Sequence, residues 1–156
     1  TELETMYPEA MSFVSIGCAA DANPFPRGSL AYAQRHGREI AQSVGSIPAS
    51  HYTRITGDIV PSLGYLDLPY DALPDYNVWT KKADEGGPVG YHAKKWLQRL
   101  DSGEEPPTSY SYVLQTWAFG DDLAMIFFSG EVVADYSRRL RTSLDSARVW
   151  IGAYAN

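Results

Sequence analysis

The sequence predicts an α+β fold, a layered α/β sandwich built on a mixed sheet, and three observations carry that expectation. Two short segments, Ser12 to Ala19 and the almost continuously apolar Leu123 to Ser129, read as strands. Apolar residues recur at helical spacing between Leu30 and Val44 and again between Val89 and Leu100. The turn Gly120-Asp121-Asp122 joins an alternating stretch to an apolar one, which is a hairpin signal. Strands that alternate with helices and also include an antiparallel hairpin make mixed layers.

In chain order, Ser12 to Ala19 reads as a buried strand running into a proline-punctuated turn, Asn23-Pro24-Phe25-Pro26-Arg27-Gly28. A helix follows, with Leu30, Ala33, Gly37, Ile40, Ala41 and Val44 on one face, Ser29 as its cap and Gly45 as its stop. Arg54 to Leu68 alternates but is interrupted by Gly57, Pro61 and Gly64, so it reads as one bent strand or two short ones. Pro69 to Glu85, rich in Pro, Asp and Tyr, is expected to be an irregular surface excursion anchored by Leu73 and Trp79. A second helix begins near Pro88, turns Val89, His92, Ala93, Trp96, Leu97 and Leu100 to one face, and ends at Asp101-Ser102-Gly103. Tyr110 to Phe119 and Leu123 to Ser129 form the hairpin. Gly130-Glu131 leads into a third helix with Val133, Tyr136, Leu140 and Leu144 inward, and Arg148 to Tyr154 is a last strand. The linker Glu104-Glu105-Pro106-Pro107 is too brief to divide the chain, so residues 1–156 read as one domain or domain fragment. Because the last strand runs almost to Asn156, the chain reads as part of a larger fold; the alternative is a small complete domain with that strand at a sheet edge.

Composition narrows the function. The 156 residues are 44% hydrophobic, enough for a real core. Thirteen basic against nineteen acidic residues give a net charge of −6 with no basic stripe, which disfavours nucleic acid and anionic membranes. No apolar run is long enough to span a bilayer as a helix, so no integral membrane segment is expected. The single cysteine, Cys18, fixes no compartment, and the chain carries no address.

Glu131 is the residue most open to a chemical reading. It follows a buried strand, adjoins Gly130 where a ligand could approach closely, and would feel the positive end of the third helix, so it can stay ionised and coordinate a metal. The duller alternative is a first-turn glutamate that stabilises its own helix. Asp21 is a catalytic carboxylate or an Asx-type turn residue bonding the backbone near Asn23. Arg27 holds an anion or pairs with Asp21 or Glu39. Tyr76 and Trp79 line a lipid or sugar groove or merely anchor the excursion. Cys18 reads as an inert buried thiol, and His92 as a satisfied core residue; His36, His51 and His92 fall in separate segments without a paired metal-binding motif.

Four segments in order carry a resemblance: Phe13-Val14-Ser15-Ile16-Gly17-Cys18-Ala19-Ala20-Asp21-Ala22-Asn23-Pro24; Gln34-Arg35-His36-Gly37-Arg38; Trp117-Ala118-Phe119-Gly120 with Gly130-Glu131-Val132-Val133-Ala134-Asp135-Tyr136; and Trp150-Ile151-Gly152-Ala153-Tyr154-Ala155-Asn156. Together they resemble the later part of the catalytic domain of the neutral/alkaline non-lysosomal ceramidase family, in particular its diverged bacterial branch; residues 46–109 add little. The resemblance implies a segment of a four-layer α/β/β/α domain that hydrolyses the amide of ceramide with a bound zinc. It implies Glu131 as the glutamate ligand, with histidine ligands upstream of Thr1 and a tyrosine ligand beyond Asn156. The family's nucleophilic serine aligns with Asn23, whose amide cannot form the same acyl-enzyme.

The leading expectation is therefore a ceramidase-like zinc-dependent hydrolase of amide or ester bonds, inactive as this segment alone. Glu131 would be a metal ligand, Asp21 a proton acceptor and Asn23 a donor to a developing oxyanion, with a small-molecule or lipid amide as substrate. Arg27, Tyr76 and Trp79 are the substrate-binding candidates. Family analogy implies a secreted or periplasmic protein, and self-association would cover exposed sheet. The alternative is a non-catalytic module that binds carbohydrate, lipid or protein through the aromatics around Tyr76 and Trp79.

Overall fold

A computed structural model of the chain describes residues 1–155; Asn156, the end of the fourth resembling segment, lies outside the described residues. The chain forms two compact units, Thr1–Gly64 with Val113–Asn156, and Tyr65–Tyr112. Among the described residues a sheet of four strands has the order β1 (Ile59–Pro69), β2 (Ser109–Phe119), β3 (Leu123–Phe128), β4 (Val149–Gly152). The expected α+β class with a mixed sheet is present: β2 and β3 pair antiparallel, β3 and β4 parallel.

In the first unit the hairpin turn lies where the glycine and two aspartates place it. Gly120 takes a left-handed φ of 51°, and the Asp122 N–H donates to the Phe119 carbonyl at 3.0 Å. Parallel pairing of β3 with β4 requires a crossover, and α5 (Ala134–Ser143) supplies it. One sheet face carries the core, where Cys18, Ile151 and Ala153 are buried against Phe128, Val132, Leu140 and Val149. Helix α2 (Leu30–Gly45) is capped by Ser29, whose hydroxyl accepts from the Tyr32 N–H, as expected. Its apolar face is only partly used: Ala41 is buried, whereas Leu30 and Ile40 are exposed. A short helix α1 (Glu2–Met6) closes the N-terminal end with a capping box between Thr1 and Glu4, a feature the apolar periodicity did not signal.

Two expectations are corrected in this unit. Ser12 to Ala19 is not a strand. Among the described residues, the backbone bond joining it to the β4 side runs from the Ala153 N–H to the Ile16 carbonyl, at 2.8 Å. A strand needs a ladder of such bonds, and β4 is only four residues long. The last strand ends at Gly152, short of Tyr154, because the chain turns there: Tyr154 adopts φ 57° and its N–H donates to Gly130.

The second unit is built on two helices. Pro69 to Glu85 is not irregular throughout, since it contains α3 (Tyr76–Ala83), capped by Asp75, whose carboxylate accepts from the Val78 N–H. Eight residues of helix emerged from a Pro- and Asp-rich stretch because Asp75 serves as a cap and α4 (Gly87–Asp101) provides a packing surface. Trp79 stacks on Trp96 with ring centroids 5.6 Å apart. Of the expected inner face of α4, Ala93 is buried and Trp96, Leu97 and Leu100 are half-buried, but Val89 and His92 are exposed and Gly90 is buried in their place. The small residues let the helices approach: a Cβ at Gly90 would lie 3.1 Å from the Ala83 carbonyl oxygen. His92 is thus no core histidine, its ring lying edge-on to Tyr91.

Candidate functional site

In a sheet with parallel pairing, loops beyond the carboxyl ends of the strands are where polar chemistry gathers. Beyond β3 and β4, three segments far apart in sequence meet: the turn Gly17 to Asn23, the loop Ser129 to Val133, and Ala153 to Ala155. Backbone bonds hold them together. The Ala20 N–H donates to the Val132 carbonyl at 3.2 Å, the Tyr154 N–H to Gly130 at 3.0 Å, and the Ala155 N–H to Phe128 at 3.1 Å. Gly130 has φ 69°, a conformation that glycine adopts without a Cβ clash. Tyr154 reaches a similar φ with a side chain present and is the strained residue of the group. Tyrosine carries no turn signal, so nothing in its residue type gave that conformation away.

Asp21 is neither the expected turn residue near Asn23 nor a carboxylate with both oxygens uncommitted. Its Oδ1 accepts from the Ala134 N–H at 2.8 Å, at the first residue of α5. The cap position of that helix is Val133, which has no side-chain acceptor, so a carboxylate 113 residues earlier satisfies the helix start. The local turn is made by the backbone, from the Ala22 N–H to the Ala19 carbonyl. Asn23 accepts through Oδ1 from Arg27 Nη1 at 2.6 Å. Arg27 therefore pairs with neither Asp21 nor Glu39. Glu39 instead faces Arg35 and His36 along α2. His36 Nε2–H donates to the Pro26 carbonyl at 2.8 Å, tying α2 to the same turn. Cys18, at the start of the turn, is buried, and burial pushes its thiol above the ordinary range, which suits an inert thiol.

Glu131 lies in the same loop cluster and is exposed. It precedes the Val133 cap and so is not a first-turn residue of α5, which corrects the duller of its two readings. The segments of Asp21, Asn23 and Glu131 are thus brought to one end of the sheet. Tyr76 and Trp79 belong to the other unit, where each has a partner in α4. The Tyr76 hydroxyl donates to Asp101 Oδ1 at 3.0 Å, and the Trp79 ring stacks on Trp96 and has the Lys82 ammonium 5.2 Å from its centroid.

A catalytic zinc takes three protein ligands. Among the described residues no three His, Cys, Asp or Glu side chains form such a group. Among the same residues no helix is long and apolar enough to cross a membrane. No family model, curated protein or solved structure matches the chain.

Proposed function

We propose that this chain carries one wall of a hydrolytic site for amide or ester bonds, of the zinc-dependent ceramidase type, with Glu131 as the acid that would contribute to the metal set. The observation supporting it is the bonding of Ala20 to Val132 and of Ala134 to Asp21, which joins the two motif segments at the carboxyl end of the sheet. When bound, zinc would polarise a carbonyl and acidify water. The described side chains do not complete its coordination, and the remaining chemistry is that of the chain itself. Asp21, with Oδ1 held by Ala134, has Oδ2 to accept a proton. Asn23, whose oxygen is taken by Arg27, keeps its amide nitrogen to donate to an oxyanion. Arg27 would act as the residue that orients Asn23. The substrate is a small-molecule or lipid amide, and the isolated chain is inactive.

The test is metal analysis of the natural full-length protein and of its Glu131→Ala variant. Stoichiometric zinc that is lost in the variant is expected. Zinc retained in full by the variant rejects Glu131 as a ligand, and no zinc in either protein rejects the hydrolase.

The second reading, a binding module built around Tyr76 and Trp79, draws on the exposure of Tyr76. The stacking of Trp79 on Trp96 weighs against it, because a ligand would compete with a contact the helix pair already uses. A carbohydrate or lipid affinity abolished by Trp79→Ala in a metal-free protein would favour this reading over the hydrolase.

A further inference from the structure

The segment Gln34-Arg35-His36-Gly37-Arg38 has no part in the hydrolytic site as described so far. Its histidine acquires one through the turn Asn23-Pro24-Phe25-Pro26-Arg27-Gly28, which is poorly supplied with bonds of its own. Pro24 and Pro26 have no N–H, Phe25 is 91% exposed, and a Cβ at Gly28 would meet nothing within 4 Å. Among the described residues, no backbone–backbone hydrogen bond involves residues 23–28. Side-chain bonds hold them instead: one inside the turn, from Arg27 to Asn23, and one from outside it, from His36 Nε2 to the Pro26 carbonyl. Burial marks the same contact, because Pro26 and His36 are half-buried while every other residue from 21 to 40 is exposed.

We propose, resting on the hydrolytic reading of Asn23, that His36 is the positioning residue of this turn: by holding the Pro26 carbonyl it fixes Arg27, and through Arg27 the Asn23 amide offered to the oxyanion. A carbonyl oxygen only accepts, so Nε2 carries the proton at the 2.8 Å contact. Nδ1 is turned to Glu39 Oε2, 3.4 Å away, and Glu39 also faces Arg35, so the ring is fixed to α2 as well as to the turn. The Pro26 carbonyl lies in the peptide plane that carries the Arg27 Cα, so holding that oxygen holds the base of the arginine. Arg27 Nη1 then takes the Asn23 oxygen at 2.6 Å. Released from α2, a turn with no backbone bond lets Arg27 swing, and the Asn23 amide loses its fixed direction. An oxyanion donor works only when it is in place before the charge develops, so the loss falls on turnover and not on binding.

Glutamine places an amide donor where the histidine has Nε2, asparagine only where it has Nδ1, and alanine removes both while favouring the helix. These replacements of His36 are compared in the natural full-length protein by two readouts, trypsin cleavage of the Arg27–Gly28 bond and hydrolysis of octanoyl para-nitroanilide. His36→Ala and His36→Asn should be cut at Arg27–Gly28 at least about ten-fold faster than wild type, with cleavage after Arg138 and Arg139 unchanged. Their kcat should fall about ten-fold or more while KM stays within about two-fold, and His36→Gln should restore both readouts. Equal cleavage of wild type and His36→Ala, a rise at every Lys and Arg alike, or rescue by asparagine in place of glutamine overturns the proposal. So does a loosened turn with kcat unmoved. A wild type that holds no zinc and leaves the anilide intact rejects the hydrolase reading instead, and the cleavage rates still decide whether His36 fixes the turn.

Discussion

Asp21 shows how much one side chain can be asked to do. Val133 cannot cap α5, so the Asp21 carboxylate accepts the Ala134 N–H from across the fold. Asp21→Ala should destabilise the protein by about 1 kcal/mol, as loss of a helix cap does, while Asp21→Asn, which keeps an acceptor, should cost less. Urea denaturation of the three proteins checks this, and equal stability of wild type and Asp21→Ala would sink it. In the other unit, the Asp101 carboxylate that accepts the Tyr76 hydroxyl raises that phenol above its ordinary value, through the hydrogen bond first and the charge second. The hydroxyl can donate only while protonated. Its contribution is therefore fully present below the unfolded tyrosine value and is lost as pH rises through the folded one. In a difference titration of phenolate absorbance against Tyr76→Phe, Asp101→Asn should bring the Tyr76 midpoint down; an unmoved midpoint would show that Asp101 is not the cause.

Gly57 illustrates a constraint at the scale of elements. In the sequence it reads only as an interruption in a strand, yet it lies before β1 and abuts the β2–β3 turn. A Cβ there would come within 2.4 Å of the Gly120 nitrogen, which is backbone and cannot swing aside. The same contact is fastened by Asp122 Oδ2, which accepts from the Thr56 N–H at 2.9 Å. Gly57→Ala should thus destabilise by about 2 kcal/mol or more, far beyond the small effect of that change at an open site. Thermal unfolding would measure it; a melting temperature equal to wild type would exclude the close approach. The helix pair α3–α4 depends instead on aromatic stacking, and Trp79→Ala should cost about 2 kcal/mol there, less than for a fully buried tryptophan because the ring is half-exposed.

At the scale of the molecule, no large side chain among the described residues is fully buried, and the buried core of the first unit centres on Cys18, Ile151 and Ala153. Two small cores predict two cooperative blocks of amide protection. Hydrogen exchange should show Trp79→Ala lowering protection in α3 and α4 while leaving β3, β4 and α5 as they were, and Asp21→Ala doing the reverse. A uniform loss across both units in either variant would show a single cooperative body.

The sequence by itself determined the hairpin, the capped helix after Ser29, the helix opened by Pro88 and the crossover helix between β3 and β4, because turn chemistry, caps and apolar period are local properties. It also singled out the segments of Asp21, Asn23 and Glu131, since small and polar residues at strand ends are visible in one dimension. Tertiary structure decided the rest. Ser12 to Ala19 has the apolar run of a strand but meets β4 at its end instead of along a ladder. Pro69 to Glu85 has loop composition but finds a helical partner in α4. Whether Asp21 makes its own turn or caps a helix 113 residues away depends on which N–H the fold brings within 2.8 Å, and no local pattern encodes that distance.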